Sequence, residues 1–198
     1  NSILKKNIHL LEGKIADFGG SRNNVYGSKN IVVLNSDPST SPDICCDLEN
    51  IPVDKENFDS FLFLETLEHV KNPTKVLKEI NRTLKNGANG IISVPFIYQY
   101  HPSPIDHRRW TEDKLKIELL KCNFEVKKIY YNSNLLGVIS DLIRSYLLNF
   151  YPRNILYKII YNLFKPLRYI LNFLDKRIPK YNNITTGYTL IVKKVKYD

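Results

Sequence analysis

Residues 14–21 read Lys14-Ile15-Ala16-Asp17-Phe18-Gly19-Gly20-Ser21, and the reading of this octet decides the fold. An apolar run of strand character ends in a glycine turn, the form required where an open parallel sheet brings backbone close to a ligand at a strand's carboxyl end. Working outward, further apolar runs recur at 31–34, 58–64, 90–94, 126–131 and 188–195, separated by helix-like and turn-like segments. That alternation predicts βαβ units and a mainly parallel α/β sheet. The clearest helix is 73–84, where Val76, Leu77, Ile80 and Leu84 share one face and Lys75, Lys78, Glu79 and Arg82 take the other. Asn72-Pro73 marks its start and Asn86-Gly87 its end, and Thr111 caps a second helix running to about Leu120.

The length of 198 residues with 43% hydrophobic content suits one substantial core, hence a single domain over 1–198. Composition shifts near residue 134, and a helical insertion is expected over about 134–184, before the last strand. Of the chain's net charge of +9, +6 lies between 134 and 180. Between 154 and 176 the polar residues, among them Asn154, Lys158, Lys165, Arg168 and Lys176, fall at steps of three or four on an otherwise apolar helix that Pro166 should kink. Charges at that spacing argue against a membrane-spanning helix. The positive balance favours an anionic partner, whether a phosphate-bearing metabolite, a nucleic acid or an acidic membrane surface. Cys45, Cys46 and Cys122 suit neither a disulfide framework nor a metal-binding spacing, which fits a reducing compartment. There is no secretory signal pattern; the chain begins at Asn1 and contains no methionine, as a trimmed start would leave it. The expected location is cytoplasmic, with contact at the inner membrane face left open.

The octet resembles the acid-hydrophobe-Gly-x-Gly motif of class I S-adenosylmethionine-dependent methyltransferases, and four later segments follow in that family's order. The second strand ends at Asn35, with Asp37-Pro38 just beyond. Asp43-Ile44-Cys45-Cys46-Asp47-Leu48-Glu49-Asn50-Ile51-Pro52, followed by Asn57-Phe58-Asp59, is similar to the family's stretch of paired acids, hydrophobe and proline before "F-D". Glu65-Thr66-Leu67-Glu68-His69-Val70 resembles "E-x-L-E-H-hydrophobe", and Leu84-Lys85-Asn86-Gly87-Ala88 resembles "L-K-P-G-G". The resemblance, closest to the type 11 methyltransferases, implies a Rossmann-like sheet with helices on both faces and an antiparallel C-terminal strand. It implies S-adenosylmethionine as cofactor. Asp17 would hold the methionine end, with Gly19 and Gly20 passing beneath it. Asn35 or Asp37 would meet the ribose, Asp47 and Leu48 the adenine, and Glu65 to His69 would border the cofactor and the mouth of the active site. Ser21, Asn23 and Asn35 depart from the family's usual residues.

Substrate chemistry is expected in the loop 98–111, which holds Tyr98, His101, Asp106, His107, Arg108, Arg109 and Trp110 and resembles the "H-x-x-P-x-D-aromatic-x-R-aromatic-T" loop of methyltransferases from surface-polysaccharide gene clusters. Methylation of a hydroxyl is helped by a base, and His101 or His107 could take the proton, with Asp106 fixing the tautomer or acting itself. Arg109 could pair with a carboxylate or phosphate of the acceptor, with Tyr98 and His69 at the substrate's edge. Asp106 and Arg109 equally suit an ion pair that only shapes the loop. His101, Asp106 and His107 are metal-ligand types, but no second ligand pair accompanies them and no metal is expected.

The leading expectation is O-methylation of a small or saccharide-type acceptor, with or without a phosphate or lipid link, with the insertion covering substrate, forming a homodimer or resting on a membrane. RNA methylation is disfavoured because the basic residues concentrate in the insertion and no Asn-Pro-Pro-Tyr-type motif occurs. A methyltransferase-like interaction module without turnover is the non-enzymatic alternative, prompted by the departures at Ser21, Asn23 and Asn35.

Overall fold

The computed structural model describes residues 2–22, 30–102, 104–150, 155–179 and 184–196; Asn23, Arg153, Asn154 and Lys180 lie outside them. In chain order the elements are α1 (Ser2–Asn7), β1 (Ile15–Phe18), β2 (Ile31–Asn35), β3 (Ile44–Cys45), β4 (Phe58–Leu64), α2 (Pro73–Thr83), β5 (Leu84–Pro95), α3 (Glu112–Lys121), β6 (Phe124–Tyr131), α4 (Leu135–Phe150), α5 (Ile155–Asp175) and β7 (Gly187–Lys194). They form a seven-stranded sheet in the order β3-β2-β1-β4-β5-β7-β6. Neighbours from β3 through β5 pair in parallel, whereas β7 runs antiparallel to both β5 and β6. The mainly parallel Rossmann-like sheet with an antiparallel last strand is therefore present.

Strand periodicity divides the core between the two faces. Ala16 and Phe18 join Phe61, Phe63, Ile92, Val94 and Leu190 beneath α2 and α3. The alternate residues Ile15, Val33, Leu62, Ile91 and Ile191 pack with Leu4 and Leu11 from the N-terminal helical segment. Asn72 caps α2 by accepting from the Lys75 N–H at 3.1 Å, with Pro73 in the first turn. At the other end Lys194 Nζ donates to the carbonyls of Asn81 and Leu84 at 2.9 and 2.7 Å, tying β7 to the end of the helix. Asn86-Gly87 does not cap this helix. The chain turns extended at Leu84, pairs once with Phe58, and resumes its register only at Asn89 opposite Ser60. Gly87, at φ +80°, sits in the excursion between.

The insertion is a pair of helices, α4 and α5, that rises where β6 ends and β7 begins, the same end of the sheet at which β1, β2, β4 and β5 finish. Its anchor is Asp175, 5% exposed, whose carboxylate accepts from the backbone N–H groups of Asn134 and Gly137 at 2.8 Å each. A carboxylate there satisfies orphan donors of the first turn of α4 and faces the positive end of its dipole. Asn134 returns the contact by donating to the Asp175 carbonyl at 2.9 Å. Much of the outer surface is apolar, with Ile155, Leu163 and Tyr169 each more than 70% exposed. Among the described residues no helix is long and apolar enough to cross a membrane. Asp175→Ala should lower stability by about 1–3 kcal/mol in denaturant titration, because two buried N–H groups lose their acceptor; an unchanged midpoint would show that α4 starts without it.

Candidate active site

A cleft of about 1030 Å³ opens at the carboxyl ends of β1, β2 and β4, where such sheets bind ligands. Asp17, Gly19, Gly20, Asn35, Asp37, Asp47, Leu48, Glu65 and His69 all line it. The other sizeable depression near the sheet, about 460 Å³ between α3 and β6, holds none of them.

The floor is the glycine turn. Gly19 has φ +77°, and a Cβ there would lie 2.4 Å from the Thr66 side chain; a Cβ on Gly20 would meet the Asp17 carboxylate at 2.0 Å. Only bare backbone fits, which leaves the space above it to a ligand. Asp17 is 4% exposed, and burial pushes its carboxyl up to about 7. Among the described residues no group donates a hydrogen bond to it, so it is a buried acid lacking a cation.

Asn35 is committed to this turn. Its Nδ2 donates to the carbonyls of Gly19 and Gly20 at 3.1 and 2.8 Å, and its Oδ1 accepts from the Asp37 N–H at 3.0 Å. Asp37 uses one oxygen to accept from Ser39 N–H at 2.9 Å, a bond that lowers its pKa, and is otherwise exposed to the cleft. Asp47 is arranged alike, with Oδ1 on the Glu49 N–H at 2.8 Å, beside the buried Leu48. Glu65 stands at the end of β4 with φ +47°, a left-handed conformation uncommon for a residue with a side chain. Ser21 donates to the Thr40 carbonyl at 3.4 Å and so joins the two lips of the cleft.

Beside the cleft lies the loop that follows β5. Arg109 grips Asp106 with both terminal nitrogens, at 2.5 and 2.7 Å, and also donates to the Gln99 carbonyl at 2.7 Å. The Asp106 side chain is 2% exposed, and the guanidinium holds its carboxyl well below the usual carboxylate range. At neutral pH this acid is therefore a hydrogen-bond acceptor, and the arginine's donors are spent inside the loop. Asp106 also accepts from the His101 backbone N–H at 3.0 Å. The Tyr98 ring meets the His101 imidazole edge-on at 5.1 Å. His107 donates its backbone N–H to the Glu68 carbonyl at 3.0 Å while its residue is exposed; it is not among those lining the cleft.

The loop closes over Glu68, which sequence reasoning placed in a bordering segment without giving it a role. Glu68 is fully buried, neither carboxylate oxygen has a hydrogen-bond partner, and burial raises its pKa to about 8. Its Oε1 lies 3.5 Å from Nε2 of both His69 and His101. The available signal was its spacing: Glu65, Glu68 and His69 fall within five residues after a buried strand.

Residues 26–92 match the family model of the methyltransferase domain, a span that includes Asn35, Asp37, Asp47, Leu48, Glu65, Glu68 and His69 and stops before the loop after β5. No curated protein matches the chain in sequence. Among solved structures, a SAM-dependent methyltransferase from Archaeoglobus fulgidus is similar with a TM-score of 0.62 and 14% identity over 98% of this chain and 92% of that one. One from Methanosarcina mazei gives 0.56 and 15% over 96% and 97%. The [4+2]-cyclase SpnF gives 0.62 and 14% over 98% and 79%. At such identities the structural likeness establishes the fold alone, and the likeness in sequence to the methyltransferase domain is confined to residues 26–92.

Proposed function

We propose that the protein transfers a methyl group from S-adenosylmethionine to a hydroxyl of a small or saccharide-type acceptor, one bearing phosphate or a lipid link being favoured by the basic surface. The observation that carries this reading is a buried, unpartnered Asp17 beside a bare glycine turn in the cleft that His69, a member of the Glu68–His69–His101 cluster, also lines. Bound S-adenosylmethionine supplies an electrophilic methyl group on a sulfonium sulfur. Asp17 offers its carboxylate to the ammonium of the methionine end, and Gly19 and Gly20 allow close backbone approach. Asp37, with one carboxylate oxygen uncommitted, is the ribose acceptor, because Asn35 is occupied in holding the turn. Asp47 accepts the adenine amino group, with Leu48 against the ring.

On the acceptor side, His101 and His69 flank the reacting hydroxyl and activate it. Asp106 and Arg109 are positioning residues: their ion pair fixes the loop, and Asp106 holds His101. His107 acts through its backbone bond to Glu68. The apolar outer face of α4 and α5 covers acceptor, a second copy or an anionic membrane surface. The fold also serves a [4+2]-cyclase, so cofactor binding alone does not establish methyl transfer.

Isothermal titration with S-adenosylmethionine and S-adenosylhomocysteine should give binding in the micromolar range or tighter; no binding at millimolar ligand would move the protein to the interaction-module alternative. Asp47→Ala should weaken binding by about 10–100-fold, as loss of a hydrogen bond to a charged acceptor does, while Asp106→Ala should leave it nearly unchanged. The reverse ranking would exchange the roles of the two regions. Affinity should also depend on pH with a definite sign. A cofactor ammonium favours ionised Asp17, so below about pH 7 binding must expel a proton and affinity falls by up to about tenfold per pH unit, whereas above it the curve flattens. A flat profile between pH 5.5 and 8 would remove Asp17 from the cofactor's cationic end.

A further inference from the structure

Glu68, His69 and His101 meet in an arrangement that the charges of the protein alone leave unsatisfied. His69 Nδ1 lies 2.7 Å from the Ile105 carbonyl and His101 Nδ1 lies 3.1 Å from the Gln99 carbonyl. A carbonyl oxygen only accepts, so a neutral His69 ring carries its proton on Nδ1 and presents a bare lone pair at Nε2. His101 Nδ1 has two acceptors nearer, the Gln99 carbonyl and Asp106 Oδ2 at 3.3 Å, than its one donor, Arg109 Nη2 at 3.4 Å, and when neutral takes the same form. Both Nε2 atoms face the same Glu68 oxygen at 3.5 Å. Two nitrogen lone pairs therefore converge on one carboxyl oxygen, and Glu68 itself is fully buried with neither oxygen hydrogen-bonded. A proton on Glu68 could serve only one nitrogen, and at 3.5 Å it would be too far for a sound hydrogen bond.

A metal ion satisfies all three groups together. In a tetrahedral site with bonds of about 2.0–2.2 Å to imidazole nitrogen and carboxylate oxygen, neighbouring ligand atoms lie roughly 3.3–3.6 Å apart. The observed nitrogen–oxygen separations fall in that interval, and the three ligand atoms all lie within 4.8 Å of one another. The outer contacts have the form that orients metal-bound histidines, in which the far ring N–H donates to a backbone carbonyl or a carboxylate. His101 has both, since its Nδ1 is also 3.3 Å from Asp106 Oδ2. The ligand set differs from His101, Asp106 and His107, the trio judged insufficient from sequence: Asp106 is taken by Arg109, and Glu68 replaces it.

We infer that Glu68, His69 and His101 bind one divalent transition-metal ion of the zinc class through a Glu68 oxygen and the two Nε2 atoms. Three protein ligands leave one position open, as in catalytic rather than structural zinc sites. His69 lines the cleft, so the open position faces it. On the methyl-transfer reading, on which this part rests, the acceptor hydroxyl takes that position. The ion lowers the hydroxyl's pKa, its proton leaves to solvent, and the oxygen forms a bond to the methyl carbon as the carbon–sulfur bond breaks, its electron pair remaining on sulfur.

The test uses the full chain with Cys45→Ser and Cys46→Ser, so that these neighbouring thiols cannot take up the probe. The protein is stripped with chelator and titrated with Zn²⁺ by calorimetry. One equivalent binding at micromolar affinity or tighter is expected, with no substitution in the site needed for this first readout. His69→Ala and His101→Ala should each weaken it at least about tenfold, while Asp47→Ala, at the cofactor end, should leave it unchanged. Absence of stoichiometric uptake, or uptake indifferent to both histidine substitutions, overturns the assignment. Titrating the same samples with S-adenosylmethionine separates the two readings. Zn²⁺ uptake without cofactor binding upholds the metal site and removes methyl transfer, and cofactor binding without Zn²⁺ uptake overturns the metal site alone.

Discussion

A fully buried carboxyl group with no hydrogen bond is an expensive feature for a fold to carry, and Glu68 is the point on which this site converges. Everything around it is arranged to hold it in place rather than to relieve it. The His107 N–H fixes its carbonyl, and the Ile105 and Gln99 carbonyls turn the imidazoles of His69 and His101 so that their nitrogen lone pairs face it. The Arg109–Asp106 pair then locks the loop that carries these contacts. Folds tolerate such an unrelieved group where function requires it, which is why the proposed acceptor chemistry centres on Glu68 and not on the exposed His107.

The glycine-turn side of the cleft follows a different logic, that of close approach. Gly19 and Gly20 leave no room for a side chain against Thr66 and Asp17, and the turn they form must be held down from β2. An aspartate at position 35 would set a carboxylate against two carbonyl oxygens. Asparagine instead donates to both and accepts from Asp37. The departure from the family's acid at this place is thus compensated within two residues, because Asp37 brings an acid to the same lip of the cleft. Tightness of the turn and displacement of the acid to position 37 are one adjustment.

The sheet was legible because its strands are apolar runs bounded by turns: β1, β2, β4, β6 and β7 all lie within two residues of where periodicity puts them. β3 was not, since Ile44–Cys45 is two residues long between acids and is defined by pairing with Leu34 and Asn35 rather than by its own pattern. The N-terminal helix α1 was missed because Ser2–Asn7 is too short to show a period, and it is held by Leu4 packing on the sheet. In the site, motif order located Asp17, Asp47 and Glu65 but gave no sign that Glu68 would lose all access to water. Burial of an acid is a tertiary property, created here by a loop more than thirty residues downstream. His101 and His107 look alike in sequence for the same reason. Only the path of the chain gives one of them its ring and the other its backbone as the contact with Glu68.

That division explains where the family likeness stops. The matched span, residues 26–92, takes in Asn35, Asp37, Asp47 and Leu48 and ends before the loop that closes over Glu68. A cofactor presents the same groups to every enzyme that binds it, so the residues meeting it are held to a recognisable order. The loop after β5 and the α4–α5 insertion, which lie outside the matched span, both rise from the same end of the sheet as the cleft. The insertion also concentrates the basic charge, net +6 of +9 between 134 and 180.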